Sequence, residues 1–237
     1  MNDQPISISV VMPAYNEEMS IVDAVKQNIE TFSSQNLDYE IVIIDDNSTD
    51  RSWEIIKELA EKYPEVFCYH HEKNLGPGGA FQTGVTKAKK EYIIFVPFDN
   101  PLTIDDLKSY IPRLGICDVV VGVRAERVGY NYFAKVASFL YNRIMIPLLF
   151  NIGISDVNWI QVYRRHYFED GTLNIGKTKI FFLVELLIQA RRNNLIIVEI
   201  PSGMNRRLYG IPTCTRFSVM WATFWDAIKF FIKSNKG

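Results

Sequence analysis

The sequence predicts an α/β fold with a mostly parallel, doubly wound sheet and helices on both faces. Three observations point there. Runs rich in Ile and Val recur along the first half of the chain, helical patterns separate them, and two of the runs lead into carboxylates. Strands covered on both faces read as continuous apolar runs. Alternation of strand and helix winds such a sheet right-handedly.

In chain order, strands are expected at residues 6–12, 39–44, 66–71, 92–96, 118–123 and 195–200. Pro13 ends the first, because proline cannot donate to a ladder. Helices are expected at 17–33, 50–63, 79–89 and 103–111. Thr49 or Asp50 caps the second helix, and Asp50 places negative charge at its positive end. After Arg124 the texture changes. Residues 131–150 read as a long helix, apolar on most sides, and 179–192 as another helix. Residues 215–233 form a third, carrying Trp221, Phe224, Trp225, Phe230 and Phe231. Its polar residues Thr223, Asp226, Lys229 and Lys233 fall on one narrow stripe. Two such apolar helices predict a surface that meets a membrane or a partner. Residues 1–214 read as one domain, with 215–237 as an appended amphipathic aromatic helix.

Apolar residues make up 48% of the chain, enough for a core, and a net charge of −1 argues against a nucleic-acid partner. Cys68, Cys117 and Cys214 have no metal-site spacing and leave an odd disulfide count, which suits a reducing cytosolic setting. Residues 1–5 show no signal-peptide pattern. The apolar stretch 219–232 is broken by Asp226 and Lys229. It falls short of the roughly 20 residues that span a bilayer. The expectation is a cytoplasmic protein, peripheral on the cytosolic face of a membrane.

The candidate chemistry sits at strand ends. Asp45 and Asp46 close the run Tyr39-Glu40-Ile41-Val42-Ile43-Ile44, and Asp99 follows Tyr92-Ile93-Ile94-Phe95-Val96. Ligands of open α/β sheets bind at the carboxyl ends of strands. A carboxylate there accepts from ribose hydroxyls or a base N–H, or holds a divalent cation against a diphosphate. Gly76-Pro77-Gly78-Gly79 lacks both phosphate-loop spacings and reads as a tight turn that lets a helix pack closely. His70, His71 and His166 have no ligand partners at useful spacing and read as surface or strand-end residues.

Val10-Val11-Met12-Pro13-Ala14-Tyr15-Asn16-Glu17 is followed by Ile43-Ile44-Asp45-Asp46-Asn47-Ser48-Thr49-Asp50. Asn74-Leu75-Gly76, Val121-Gly122-Val123-Arg124, Glu199-Ile200-Pro201 and Arg207-Leu208-Tyr209-Gly210 come after them. Together these strings resemble family 2 glycosyltransferases with the GT-A nucleotide-diphospho-sugar transferase fold. Within that family they most resemble polyprenyl-phosphate sugar transferases of the dolichyl-phosphate mannose synthase type, over residues 6–212.

The resemblance implies inverting transfer of a hexose from a nucleotide-diphosphate sugar, of GDP-mannose or UDP-glucose type, to a polyprenyl phosphate at a membrane surface. It implies Pro13, Tyr15, Glu17, Asp45 and Asp46 against base and ribose, with Lys73 and Asn74 in reach. Asp99 would hold Mg²⁺ or Mn²⁺, and Arg207 would close over the diphosphate, with Arg206 and Arg124 adding positive charge. Arg127, Arg143, Arg164 and Arg165 are candidates for the acceptor phosphate.

The family's Asp-x-Asp is here Pro97-Phe98-Asp99, so only the second acid remains, with Asn100 beside it. Mg²⁺ tolerates this, since it keeps waters and takes phosphate oxygens as ligands. A phosphate acceptor is already anionic near neutral pH and needs no strong base. A hydroxyl acceptor would need one, with Asp156 or Glu185 as candidates. The alternatives are transfer to a hydroxyl in glycan or polysaccharide synthesis, and a non-catalytic nucleotide-sugar binder, which Pro97 motivates.

Overall fold

The computed structural model describes residues 6–99, 102–124, 130, 132–176, 181–203 and 217–234. Among these, seven strands form one sheet: β1 (Ser7–Ala14), β2 (Asp38–Asp45), β3 (Val66–His70), β4 (Tyr92–Phe95), β5 (Val119–Arg124), β6 (Gln161–Arg164) and β7 (Ile197–Ser202). Their order is β3-β2-β1-β4-β6-β5-β7. All pairings are parallel except those of β6, which runs antiparallel to both β4 and β5.

The expectation of a mostly parallel sheet is met, with one addition. β6 is a strand that the sequence pattern did not mark. It is four residues long and polar at both ends, Gln161 and Arg164, so it carries no apolar run. Its place is set by pairing with β4 and β5, which are distant in sequence.

The helices are α1 (Ile21–Ser33), α2 (Ser52–Lys62), α3 (Gly76–Lys87), α4 (Ile104–Tyr110), α5 (Tyr132–Leu140), α6 (Ile146–Phe150), α7 (His166–Glu169), α8 (Phe182–Arg192) and α9 (Phe217–Ser234). Alternate side chains of each strand face opposite ways, so the sheet carries two apolar layers. Val10 and Met12 of β1 pack with Ile21, Val25 and Phe32 of α1 on one face. Val11 of β1, with Val42 and Ile44 of β2, packs with Phe81 of α3 and Phe182 of α8 on the other. Each such side chain, fully buried, stabilises by about 1.5–3 kcal/mol.

The glycine-rich α3 lies very close to the sheet, as the sequence suggested, and Gly84 makes that possible. A Cβ at Gly84 would overlap Val11 Cγ1.

The helix expected over 131–150 is realised as α5, one π-helical turn (Tyr141–Met145) and α6. Pro147 has no N–H to offer the preceding turn, and the π turn sits directly before it. Asn142 within that turn is buried, and its Oδ1 accepts the Val157 N–H at 3.0 Å. By length and composition, 132–150 could cross a membrane. In this fold Ala134, Asn142 and Ile146 are buried against the domain, while Phe133 and Leu148 are each 81% exposed. α9 lies beside it, with the Phe230 ring 5.8 Å from that of Phe150 and 5.6 Å from that of Phe181.

Candidate active site

The strand order reverses between β1 and β4. From β1 the chain moves outward through β2 and β3, then returns to pair β4 on the other side of β1. Open α/β sheets bind ligands outside the carboxyl ends of their strands at such a reversal, in the crevice that it forms. The residues leaving those ends are the β1–α1 turn, from Tyr15, and the segment from Val96 to Asp99.

β1 continues through Pro13 to Ala14, two residues beyond the strand expected from sequence, and Pro13 pairs with Ile44. α1 starts at Ile21 rather than Glu17, because Glu17 closes a turn whose carbonyl accepts the N–H groups of Ser20 and Ile21. Tyr15 is 49% exposed beside this turn. Asn16 adopts left-handed φ of 55°, which asparagine tolerates better than most residues.

Two loops lock together here. Asn16 N–H donates to Ser48 Oγ at 3.0 Å, and Asn16 Oδ1 accepts the Thr49 N–H at 2.8 Å. Glu17 N–H donates to Ser52 Oγ at 2.8 Å, and Glu18 N–H to Asp50 Oδ2 at 3.2 Å. Asp50 Oδ1 also accepts the Ser52 N–H at 2.9 Å at the start of α2, but the N-cap is Arg51 rather than the Thr49 or Asp50 expected, and Thr49 serves the neighbouring loop instead. Desolvation acts to raise the Asp50 carboxyl pKa. Hydrogen bonds from Ser52 and from backbone N–H groups outweigh it and hold the group below the ordinary carboxylate range.

Both carboxylates at the end of β2 are buried. Asp46 Oδ1 accepts the Leu75 N–H at 2.8 Å and Oδ2 accepts the Gly76 N–H at 2.7 Å. Its Oδ1 also lies 2.7 Å from His71 Nδ1, and the far ring nitrogen of His71 lies 2.9 Å from Thr83 Oγ1. Asn74 Nδ2 donates to the Asp46 carbonyl at 3.1 Å. Asp46 and Asn74 therefore build the β3–α3 turn. The N-terminus of α3, a natural seat for phosphate, already holds the protein's own carboxylate.

Asp45 differs. Its Oδ2 accepts the Ser48 N–H at 3.2 Å and meets His70 Nδ1 at 2.8 Å, while its buried Oδ1 has no hydrogen-bond partner among the described residues. Buried acceptors are nearly always satisfied, so this oxygen marks a place for a donor.

His70 and His71, read from sequence as surface or strand-end residues, do lie at the end of β3, where they meet the Asp45 and Asp46 carboxylates. The signal was present in the register, since parallel pairing of β2 with β3 sets Asp45 opposite His70.

Arg124 ends β5 with its guanidinium buried in a fork on Asp156: Nε–H to Oδ2 at 2.7 Å and Nη2–H to Oδ1 at 2.8 Å. Burial alone would lower the Arg124 pKa, but the Asp156 carboxylate reverses this and raises it above the ordinary guanidinium value. Both Asp156 oxygens thus accept from Arg124. Glu185 is buried on α8, with its carboxylate against Gly176.

Asp99 is half-buried beyond the end of β4, and Pro97 offers no side-chain ligand. No cluster of three or more metal-ligating side chains occurs among the described residues. Arg206, Arg207, Arg127 and Asn100 lie outside the described residues. Arg143 is on the π turn, and Arg164 and Arg165 face the opposite end of the sheet, bonded to Glu91 and to the Lys90 carbonyl. The structure thus keeps Arg164 and Arg165 away from the crevice.

A family model described as glycosyl transferase family 2 matches residues 9–172. The chain belongs to that family. It is 28% identical over 221 residues to a dolichyl-phosphate beta-glucosyltransferase of Trichomonas vaginalis, covering 86% of this chain and 67% of the relative. It is 29% identical to a dolichol-phosphate mannosyltransferase of Pyrococcus furiosus, covering 85% and 58%.

Among solved structures, glucosyl-3-phosphoglycerate synthase from Mycobacterium tuberculosis, with Mn²⁺, UDP and phosphoglyceric acid, is similar at TM-score 0.68 and 17% identity, covering 96% of this chain and 78% of that one. A mannosyltransferase from Pyrobaculum calidifontis with GDP-Man and Mn²⁺ matches at TM-score 0.66 and 17% identity, covering 96% and 65%. Both show the fold, which is GT-A.

Proposed function

We propose that this chain is an inverting hexosyltransferase that moves a sugar from a nucleotide-diphosphate donor to a polyprenyl phosphate at a membrane surface. The observation that supports the reading is an acid, Asp99, in the segment that leaves the carboxyl end of β4 next to β1, in a chain of this family. The names of the relatives, dolichyl-phosphate glucosyltransferase and dolichol-phosphate mannosyltransferase, support the acceptor, and the GDP-Man and UDP held by solved structures of this fold support a nucleotide-diphosphate donor of GDP-mannose or UDP-glucose type.

Pro13, Tyr15 and Glu17 would line the base and ribose side, with Asn74 and the buried Asp45 and Asp46 shaping the wall behind them. A divalent cation, Mg²⁺ or Mn²⁺, fits a site with one hard carboxylate donor, because substrate phosphates and water supply the remaining oxygens. Asp99 is the residue that would hold it, and the ion would stabilise charge on the departing diphosphate. Arg206 and Arg207 would add positive charge there, and Arg124 would meet a substrate phosphate.

In the reaction an acceptor phosphate oxygen attacks the anomeric carbon, and the carbon–oxygen bond to the nucleotide diphosphate breaks from the opposite face. No proton need be removed from an ionised phosphate. That agrees with the commitment of Asp156 to Arg124.

The apolar outer side of α5 and α6, with Trp221 and Trp225 of α9, gives a monotopic surface of the kind that seats helices in the headgroup region. Lys135 and Arg143 add positive charge beside it. The burial of Asn142 and Ile146 supports a helix lying on the bilayer rather than crossing it, and we place it on the cytosolic face.

The test is transfer of labelled hexose from a panel of nucleotide sugars, with Mn²⁺ or Mg²⁺, to polyprenyl phosphate in vesicles and to water-soluble hydroxyl acceptors. Glycolipid formation supports the reading. Transfer to hydroxyl acceptors alone, or nucleotide binding without turnover on any acceptor, overturns it.

A further inference from the structure

Arg124 and Asp156 are 32 positions apart, yet each is almost completely buried against the other. Besides the two-pronged side-chain contact, Asp156 Oδ2 accepts the backbone N–H of Arg124 at 3.3 Å. The guanidinium lies 4.7 Å from the ring centroid of Trp159, whose indole N–H donates to Ser202 Oγ at 2.8 Å. Gly122 makes room for that ring: a Cβ there would stand 2.8 Å from Trp159 Cδ1 and would also overlap the Tyr110 hydroxyl. Arg124 is therefore gripped at its Nε–Nη2 edge and across one face. Nη1 points elsewhere, toward the Tyr130 hydroxyl at 3.4 Å.

Stability alone does not explain such an arrangement. Removing two charges from water costs more than the pair often returns, and apolar replacements of buried pairs are frequently as stable or more so. A guanidinium fixed in one orientation is useful for another reason: its planar donors can then meet phosphate oxygens without first losing rotamer freedom. Its place, the last residue of β5 at the carboxyl end of the sheet, is the end that holds the crevice.

We propose that Asp156 is the positioning residue for Arg124, locking the guanidinium so that its Nη1 side meets a phosphate oxygen of a substrate. The inference rests on the reading above, in which Arg124 meets substrate phosphate. It adds a role for Asp156 that is carried out wholly through the arginine. The phosphate belongs either to the donor's diphosphate or to the acceptor.

The experiment is steady-state transfer by the full chain carrying Arg124→Gln, Asp156→Asn or both, varying nucleotide sugar and polyprenyl phosphate in turn. Arg124→Gln should raise the KM of one of these substrates by at least about tenfold, as expected for loss of a charged phosphate contact. The substrate affected identifies the source of the phosphate. Asp156→Asn should raise the same KM, and the double variant should be no worse than Arg124→Gln alone.

Effects that multiply in the double variant, or an Asp156→Asn loss confined to kcat, would overturn the positioning role. An unchanged KM in Arg124→Gln would overturn it through its premise, while glycosyl transfer itself would stand. Should Asp156→Asn fail to fold by circular dichroism, Asp156→Glu keeps the charge and shifts it by one methylene. The same KM should then rise, and an unchanged KM would contradict the proposal.

Discussion

At the β1–β2 end of the sheet, side chains of one loop bond to the backbone of the next: Asn16 to Thr49, Ser48 to Asn16, Asp50 to Glu18, Asp46 to Leu75 and Gly76. Beyond β5 the outer helices leave Phe133 and Leu148 exposed. The first region is a polar cradle braced before any ligand arrives, as suits a soluble nucleotide that must be held in one pose. The second presents an apolar surface, as suits the lipid acceptor proposed above. The same fold thus divides its labour between preorganised hydrogen bonds and exposed apolar area.

Breaking the braced side should cost the most. Asp46→Ala leaves the Leu75 and Gly76 N–H groups and the His71 ring without their carboxylate. Loss of about 3 kcal/mol is expected in urea unfolding, from stranded buried donors. On the apolar side, Phe133→Glu with Leu148→Glu should leave unfolding free energy within about 0.5 kcal/mol, because both residues are exposed. Co-flotation with vesicles should nevertheless fall at least about tenfold as their apolar area leaves the bilayer. A variant that floats normally would break the contrast.

Gly84→Ala probes the floor beneath the cradle, where the added methyl meets Val11, and should destabilise by about 2 kcal/mol through overpacking.

The smallest effect concerns pH. The Asp50 carboxyl is held below its unfolded value, so it binds protons less readily in the folded chain. Its stabilisation is complete above the unfolded pKa of about 4 and is lost as pH falls through the lower folded value. Asp50→Asn should therefore be less stable than wild type at neutral pH and converge with it in strong acid. The group is only partly buried, so the gap is modest.

Legibility in the sequence followed the same division. β1, β2 and β4 were readable because both faces of each are buried and the apolar runs are continuous. β6 was not, since its identity depends on partners about 40 and 70 positions away and its ends are polar. Residue type located Asp45, Asp46 and Asp99 at strand ends, but not the direction each side chain takes. Asp46 turns to the start of α3, 29 positions on. No local pattern could reveal that Arg124 is held by Asp156, because the pairing exists only once β5 and the segment before β6 are brought together. The helix 131–150 was visible as apolar, while its π turn followed from Pro147 and the buried Asn142 acting together.

Replacing Asp99 by Ala and measuring hexose transfer to polyprenyl phosphate with saturating Mn²⁺ tests the central claim most directly. The account predicts a fall in turnover on the order of a thousandfold, from lost charge stabilisation at the leaving diphosphate, with thermal unfolding close to wild type. Turnover within a few-fold of wild type in the folded variant would contradict it.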